Sequence, residues 1–426
     1  MTTTRRTALK GLVGGLAGLA ATPVIGAPAI AQARPLKIGI LAPRSGVLGT
    51  VGECGLRGVQ WGVDRINAEG GIAGREVELV IEEETSPRDT IDRLRKLVLQ
   101  DEVDCVQGLV SSGVSLSCGP VAEQMKALLV MWDGTTQDGV DETMPHPRYV
   151  FRSTDNECEA VMASLLTVKR FKGKFAKVAG INPDYSYGRD NWATFLAIMK
   201  KFEIDVTPTV DLWPKVGTMD MSSHVAALQA AKPNLIFSSL LVADLPVFMK
   251  QGHAARLFED TRLVFPAAGF QHTQMKKEYT PEGMIFGHNT LYFAFANASP
   301  LQKAFVEHYE EAYKDYPEWE ADRAYFAMAV YKAGVEKAAR AKGGSWPSQD
   351  DIIDAMEGVE VESLGGKGRM RDDHIAEQTF YQGLSTYKNP YDFVTIDLVD
   401  VMYADQLQKP PGADFWNWIK EAKFPV

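Results

Sequence analysis

The chain has 426 residues, 45% hydrophobic and 23% charged, a globular composition long enough for two domains and neither disordered nor fibrous. The balance is acidic, 45 Lys and Arg against 55 Asp and Glu, and no basic cluster is interleaved with aromatics, which excludes the electrostatic footprint of a nucleic-acid binder. Four cysteines without a Cys-x-x-Cys pair and seven histidines without a His-x-x-x-His pair argue against a structural metal site.

Residues 1–33 read as an export leader. Arg5 and Arg6 precede Leu9 and Lys10, a Gly/Ala/Leu run follows, and Ala31-Gln32-Ala33 is a small-residue cleavage site. The run is Gly-rich and interrupted by Pro23 and Pro28, so it falls short of the ~20 strongly apolar residues of a membrane anchor. The Arg pair, with Thr4, Leu9 and Lys10, resembles the twin-arginine pattern, although Ala8 stands where an aromatic residue is usual. A general-export signal with two chance arginines is the alternative. The mature chain is expected to be soluble and outside the cytoplasm, without direct membrane insertion. An oxidising compartment permits disulfides among Cys54, Cys105, Cys118 and Cys158, in any of three full pairings. Cys105 lies in a strand-like run and reads as a small buried hydrophobe.

From Leu36 the hydrophobic period alternates between two and 3.6. "LKIGIL", "VELVIEEE", "VDCVQGLV" and "LVMWD" read as strands, separated by helical runs at "GECGLRGVQWGVDRIN", "TIDRLRKLVLQ" and "VAEQMKALL". Such alternation gives right-handed crossovers and a parallel sheet covered on both faces. After "MPHPRYVFRSTDNECEA", which reads as a crossing segment, the pattern restarts with strands at "FAKVAGINPD", "IDVTPTVDLW", "NLIFSSLLV", "RLVFPAAGF" and "GMIFGHNT". Beyond Thr290 come helical runs without parallel strands of their own, which are expected to return to the first lobe. The predicted fold is therefore α/β, two doubly wound parallel-sheet lobes with a ligand cleft between them. The expected boundaries are 34–152 with 290–378 for the first lobe and 153–289 with 379–426 for the second.

Open parallel sheets bind ligands at the carboxyl ends of their strands, where the turns "APRSGVLG", "VSSGVS", "WDGTTQ" and "NPDYSYG" carry small or hydroxylated residues. Ser111 and Ser112, at the turn into a helix, could be an activated nucleophile or a seat for an anion. A nucleophile elbow wants Gly-x-Ser-x-Gly, and here Leu109 and Val110 precede the serines. An anion seat needs only the free N–H groups of a helix start, which stabilise a carboxylate by roughly 0.3 to 2 kcal/mol. The remaining alternative is that the serines only cap their own helix.

The stretches "LKIGILAPRSGVLGTVGE", "INAEGGIAGREVELVIEEETSPRD", "VDCVQGLVSSGVS", "YVFRSTD", "DYSYGRD" and "GRMRDDHIAEQTFYQGLS" resemble, in order, the branched-chain amino acid family of ABC-transporter solute-binding proteins. These are the type I periplasmic receptors related to the leucine/isoleucine/valine-binding protein. The resemblance implies a flytrap of two lobes joined by three hinge crossings. It also implies a monomer without cofactor, metal or catalysis, serving a permease and ATPase complex in the inner membrane. In that family the serines after the third strand hold the ligand carboxylate, which gives Ser111 and Ser112, with the Gly113 amide, that role. The turn after the fourth strand grips carboxylate and amino group, here Asp133, Gly134 and Thr135. A second-lobe tyrosine closes over the ligand, matched by Tyr187, with Tyr185 beside it as a weaker candidate.

Two positions depart from the family pattern. Its other closing tyrosine falls at Leu241, and the acid that pairs with an α-ammonium falls near Ala267. A buried ammonium without a paired charge costs several kcal/mol, so a standard amino acid requires another acid, for which Asp133 is available. The other residues at hand are Trp132, Phe270, Gln271, His272, Tyr292 and Phe293. His272 reads as a surface loop residue and Asp244 as a helix N-cap. A small carboxylate- or amide-bearing solute, amino-acid-like or an aromatic acid, is the expected ligand. A ligand-sensing module for a membrane receptor is the alternative, and a serine hydrolase the least favoured reading.

Overall fold

A computed structural model describes residues 34–133 and 135–426, the side chain of Asp138 excepted. The leader and Gly134, the middle residue expected at the turn after the fourth strand, lie outside the described residues. The first half alternates strictly: β1 (Leu36–Ala42), α1 (Gly49–Ala68), β2 (Val77–Glu83), α2 (Pro87–Leu99), β3 (Cys105–Gly108), α3 (Ser112–Met125), β4 (Leu129–Met131), α4 (Gln137–Thr143) and β5 (Val150–Arg152). These strands form one parallel sheet in the order β2-β1-β3-β4-β5. Being covered on both faces, β1 reads as a continuous apolar run, with Leu36, Ile38, Ile40 and Leu41 fully buried.

Ser153–Asn156 carries the chain across to α5 (Glu157–Phe171). There follow β6 (Lys177–Ile181), α6 (Ser186–Lys201), β7 (Thr207–Leu212), α7 (Ser222–Ala231), β8 (Leu235–Phe237), α8 (Asp244–Ala254), β9 (Arg262–Phe265) and β10 (Ile285–Asn289). The expected strand "RLVFPAAGF" is shorter than its apolar run, because the chain turns into a 3-10 segment at Ala268–Gln274. Pro208 sits in β7, the edge strand of this sheet, the place where a missing N–H is tolerated.

The chain then returns through α9 (Pro300–Tyr313), α10 (Trp319–Ala341) and α11 (Gln349–Met356). Phe326 and Val330 of α10 and Ile353 of α11 enter the core around Ile38 and Val59, so these helices complete the first lobe. Their approach depends on Gly58: a Cβ there would lie 2.3 Å from the Ala321 carbonyl oxygen of α10. A small antiparallel sheet follows, β11 (Glu360–Ser363), β12 (Gly366–Met370) and β13 (Ala376–Glu377). The hairpin β14 (Thr379–Thr386) and β15 (Thr395–Tyr403) then joins the second sheet, before α12 (Phe415–Glu421). That sheet runs β15-β14-β10-β9-β8-β6-β7, parallel from β10 to β7, with β14 and β15 antiparallel. The second lobe is thus a mixed sheet rather than a wholly parallel one, since an edge added by a hairpin needs no crossover helix.

The first and third passages meet where the Arg152 N–H donates to the His374 carbonyl at 2.9 Å. Gly365 packs so closely on the Thr290 carbonyl that a Cβ would lie 1.5 Å from it. Asp322 of α10 accepts from the Gly365 N–H at 2.8 Å and from the Gln378 amide at 3.0 Å, pinning the turn between β11 and β12 and the last passage to one helix. All four cysteines are free and buried, so none of the three disulfide pairings is present; burial pushes the Cys54 thiol up to about 12.

Candidate functional site

A cavity of about 320 Å³ opens between the carboxyl ends of the two sheets. Its walls follow β1 at Leu48, β3 at Ser111, β4 at Asp133, β6 at Tyr185, β8 at Leu241 and β9 at Ala267. Convergence of loops from both lobes is what places an interlobe ligand site there.

The seat is built by a sharp exit from β3. Gly108 has φ +121° and Leu109 φ +69°, which turns the chain from the sheet into α3. Ser111 is the N-cap residue, yet its hydroxyl makes no capping bond, so the reading of the serines as mere caps does not hold. Ser111, Ser112 and Gly113 all line the cavity. The N–H groups of Ser112 and Gly113 have no backbone partner among the described residues, as the first turn of a helix dictates. One carboxylate already sits at this helix start. Glu84, 3% exposed, accepts from Val110 N–H at 2.7 Å and Ser111 N–H at 2.8 Å. Burial pushes its carboxyl up to about 7 despite those bonds.

Across the floor lies an ion-pair group that the sequence did not reveal. Arg323 of α10, wholly buried, reaches Asp133 at 2.5 Å and Glu159 of α5 at 2.8 Å. Glu159 also accepts from the Tyr187 hydroxyl at 2.9 Å. The group joins the lobes, since α10 packs on the first sheet and α5 on the second. Burial drives the Glu159 carboxyl up to about 7, with Arg323 opposing it. Glu159 lies inside the crossing segment, the last of three acids in "RSTDNECEA", and nothing local sets it apart from Asp155 and Glu157.

The remaining expected residues divide. Tyr187 and Tyr185 line the cavity with rings stacked at 5.9 Å. Burial first, then the carboxylates of Asp133, Glu159 and Asp244, push the Tyr185 hydroxyl far up, which puts all three acids within electrostatic reach of one wall residue. Thr135 is buried and is not among the residues lining the cavity. Leu241 and Ala267 line it, where the family pattern has a tyrosine and an acid. Of the six substitutes considered, Phe270 lines it, joined by Trp319 at a ring distance of 5.0 Å. Trp132 is core of the first lobe, and Tyr292 and Phe293 are core of the second. Gln271 is buried outside the cavity wall. His272 is no surface residue: it is fully buried, its Nδ1 2.7 Å from the Gly269 carbonyl, and burial holds its ring down at about 4. Asp244 is not the N-cap of α8 but its first helical residue, and its carboxylate lines the cavity.

The family model described as periplasmic binding protein matches residues 35–383. The chain belongs to the periplasmic binding protein family. Its members bind solutes and are not enzymes, which removes the nucleophile reading of Ser111 and Ser112. It is 28% identical over 329 residues to a Leu/Ile/Val-binding protein homolog of Brucella melitensis, covering 76% of this chain and 84% of that one. With the Leu/Ile/Val-binding protein BraC3 of Rhizobium johnstonii it shares 26% over 337 residues, 78% of this chain and 86% of the relative. Among solved structures, a solute-binding protein of an ABC transporter from Rhodopseudomonas palustris, in complex with 3,4-dihydroxybenzoic acid, superposes with TM-score 0.74 at 18% identity, covering 89% of this chain and 99% of that one. The LivJ protein of Streptococcus pneumoniae in complex with isoleucine gives 0.68 at 19% identity, covering 87% and 99%. Identities this low carry the fold. Among the described residues no helix is long and apolar enough to cross a membrane.

Proposed function

We propose that this protein is the periplasmic solute-binding component of an ABC importer and that its cleft takes a small amino compound, an amino acid or a close analogue. The observation that carries the reading is the charge of the cavity wall. Asp133, Glu159 and Asp244 line it, Arg323 pairs with the first two and no cation pairs with the third among the described residues, and such an acid surplus favours a cationic group. The open start of α3 and the Ser111 and Ser112 hydroxyls supply donors for a carboxylate at the other end. Asp133 and Glu159 then stand in for the acid absent at Ala267. Leu48, Val51, Leu241 and Phe270 line the apolar remainder. The lobes close on the solute about their three passages, and the permease and ATPase complex receives the closed form. The leader with Arg5 and Arg6 fits twin-arginine export; retention of the Arg5→Lys, Arg6→Lys precursor in the cytoplasm is the expected result, and normal maturation would reassign it to the general pathway.

A second reading, an aromatic acid, is favoured by Trp319 and Phe270 and by the dihydroxybenzoate held by the Rhodopseudomonas protein. Calorimetry with L-leucine, L-leucinamide and benzoate separates the two. For the amino-acid reading, the Ser111→Ala, Ser112→Ala double variant stays folded and binds L-leucine at least tenfold more weakly, because each hydroxyl bond to a charged group contributes about 1.5 to 3 kcal/mol. Amidation of the ligand weakens the wild type more than the double variant, since both changes remove the same contact. Strictly additive losses would place the carboxylate elsewhere, and benzoate binding without leucine binding would favour the second reading.

A further inference from the structure

Asp133 and Glu159 share Arg323, but the third acid of the cavity shares nothing of the kind. Asp244 is 1% exposed, and among the described residues no Lys, Arg or His stands within ion-pair distance of it. Its two carboxylate oxygens accept from the Gly217 N–H, at 2.9 and 3.1 Å, and burial pushes its carboxyl up to about 6. Leu241, Val216 and Ala267 are its apolar companions on the cavity wall. A carboxylate kept in such a place costs stability, because burial disfavours the charged form unless a counter-ion meets it.

The same side chain governs the mouth of the cleft. Gly217 has φ +86°, and a Cβ there would lie 3.2 Å from a methyl of Val47 in the first-lobe loop after β1. Asp244 therefore holds the second-lobe loop that meets the first lobe at the rim. The carboxylate thus belongs both to the cavity wall and to the support of a loop at the rim.

We propose that Asp244 is a specificity-determining residue of the cleft, selecting solutes that carry a second cationic nitrogen beyond the one common to all α-amino acids. The proposal rests on the amino-compound reading above. The α-ammonium is placed by Asp133 and Glu159 with Tyr187, and the distal nitrogen meets Asp244 on the second-lobe wall. The class is a short diamino acid, compact enough for a cavity of about 320 Å³. A neutral side chain of the same length would reach the same wall and leave the carboxylate with its backbone donors at Gly217 and Thr218 but no counter-ion.

Matched pairs that differ only by the terminal amine test this: L-lysine with L-norleucine, L-ornithine with L-norvaline, and L-2,4-diaminobutyrate with L-2-aminobutyrate. Calorimetry on the wild type is expected to give at least one pair in which the diamine binds tenfold or more tightly than its partner. In Asp244→Asn, which keeps an acceptor for Gly217, that ratio falls to within threefold. A purely structural role for Asp244 would weaken both members alike and leave the ratio standing, which overturns the proposal. Equal or tighter binding of the neutral member of every pair in the wild type overturns it too, while leaving the amino-acid cleft intact. If no member of any pair binds and benzoate does, the amino-compound reading itself fails and the proposal goes with it.

Discussion

Replacing Arg323 with Ala is expected to cost about 3 to 5 kcal/mol of unfolding free energy, the loss typical when one partner of a buried ion pair is removed and the other charges stay behind. The guanidinium is wholly buried, 2.5 Å from Asp133 and 2.8 Å from Glu159, with Glu320 at 3.9 Å. Burial already pushes the Glu320 carboxyl well above its usual range, so it takes little of the charge. Asp133 and Glu159 would both lose the guanidinium that pairs with them. The neutral triple variant Asp133→Asn, Glu159→Gln, Arg323→Met should recover most of the loss, because it removes the desolvated charges together with their partner. Urea unfolding followed by fluorescence measures both. A loss below ~1 kcal/mol in Arg323→Ala, the range of an exposed pair, would show that the group is not what joins the lobes.

Gly108→Ala is expected to be nearly as damaging. Its φ of +121° is a conformation that L residues rarely adopt, and a Cβ would lie 2.0 Å from the Leu41 carbonyl oxygen. That oxygen already accepts from the Leu109 N–H at 2.7 Å, and the Gly108 carbonyl accepts from Trp132 N–H at 2.7 Å, so neither side yields easily. Strained backbone costs about 1 to 3 kcal/mol and overpacking about the same again. The variant should unfold earlier in urea and lose ligand affinity, since this turn aims α3 at the cavity. Gly113→Ala is the control. A Cβ there meets nothing within 4 Å, so stability should change by no more than ~0.5 kcal/mol. Equal stability of both variants would mean that the turn after β3 is loose and does not set the seat.

Alternation of strands and helices, the switch to helices beyond Thr290, and the small-residue turns were all legible from periodicity and composition, because each depends on residues close together in the chain. The same local information placed Ser111, Ser112, Gly113, Asp133, Tyr185 and Tyr187 at carboxyl ends of strands, and the structure brings them to one cavity. It failed where the deciding contact is long-range. Thr135, two positions beyond Asp133, is buried away from the cavity instead, and His272, polar in a glycine-containing stretch, is enclosed by Phe293 and Phe393. β14 and β15 lie outside the expected strands because they are joined to the second sheet as an antiparallel hairpin, β14 pairing with β10 and β15 with β14, and not through the strand–helix alternation that marks the other strands.

By itself, then, the order of residues determined the two-lobed α/β design and the position of the serine turn, since hydrophobic periodicity and helix-start chemistry act within a few residues. Only the tertiary structure decided the electrostatics of the cleft. Arg323 and Glu159 stand 164 positions apart in the chain, and Asp244 meets Gly217 across 27. Whether an acid is a solvated cap, half of an ion pair or an uncompensated charge depends on burial and on which cation the fold brings near. Neither quantity is written in the residues beside it.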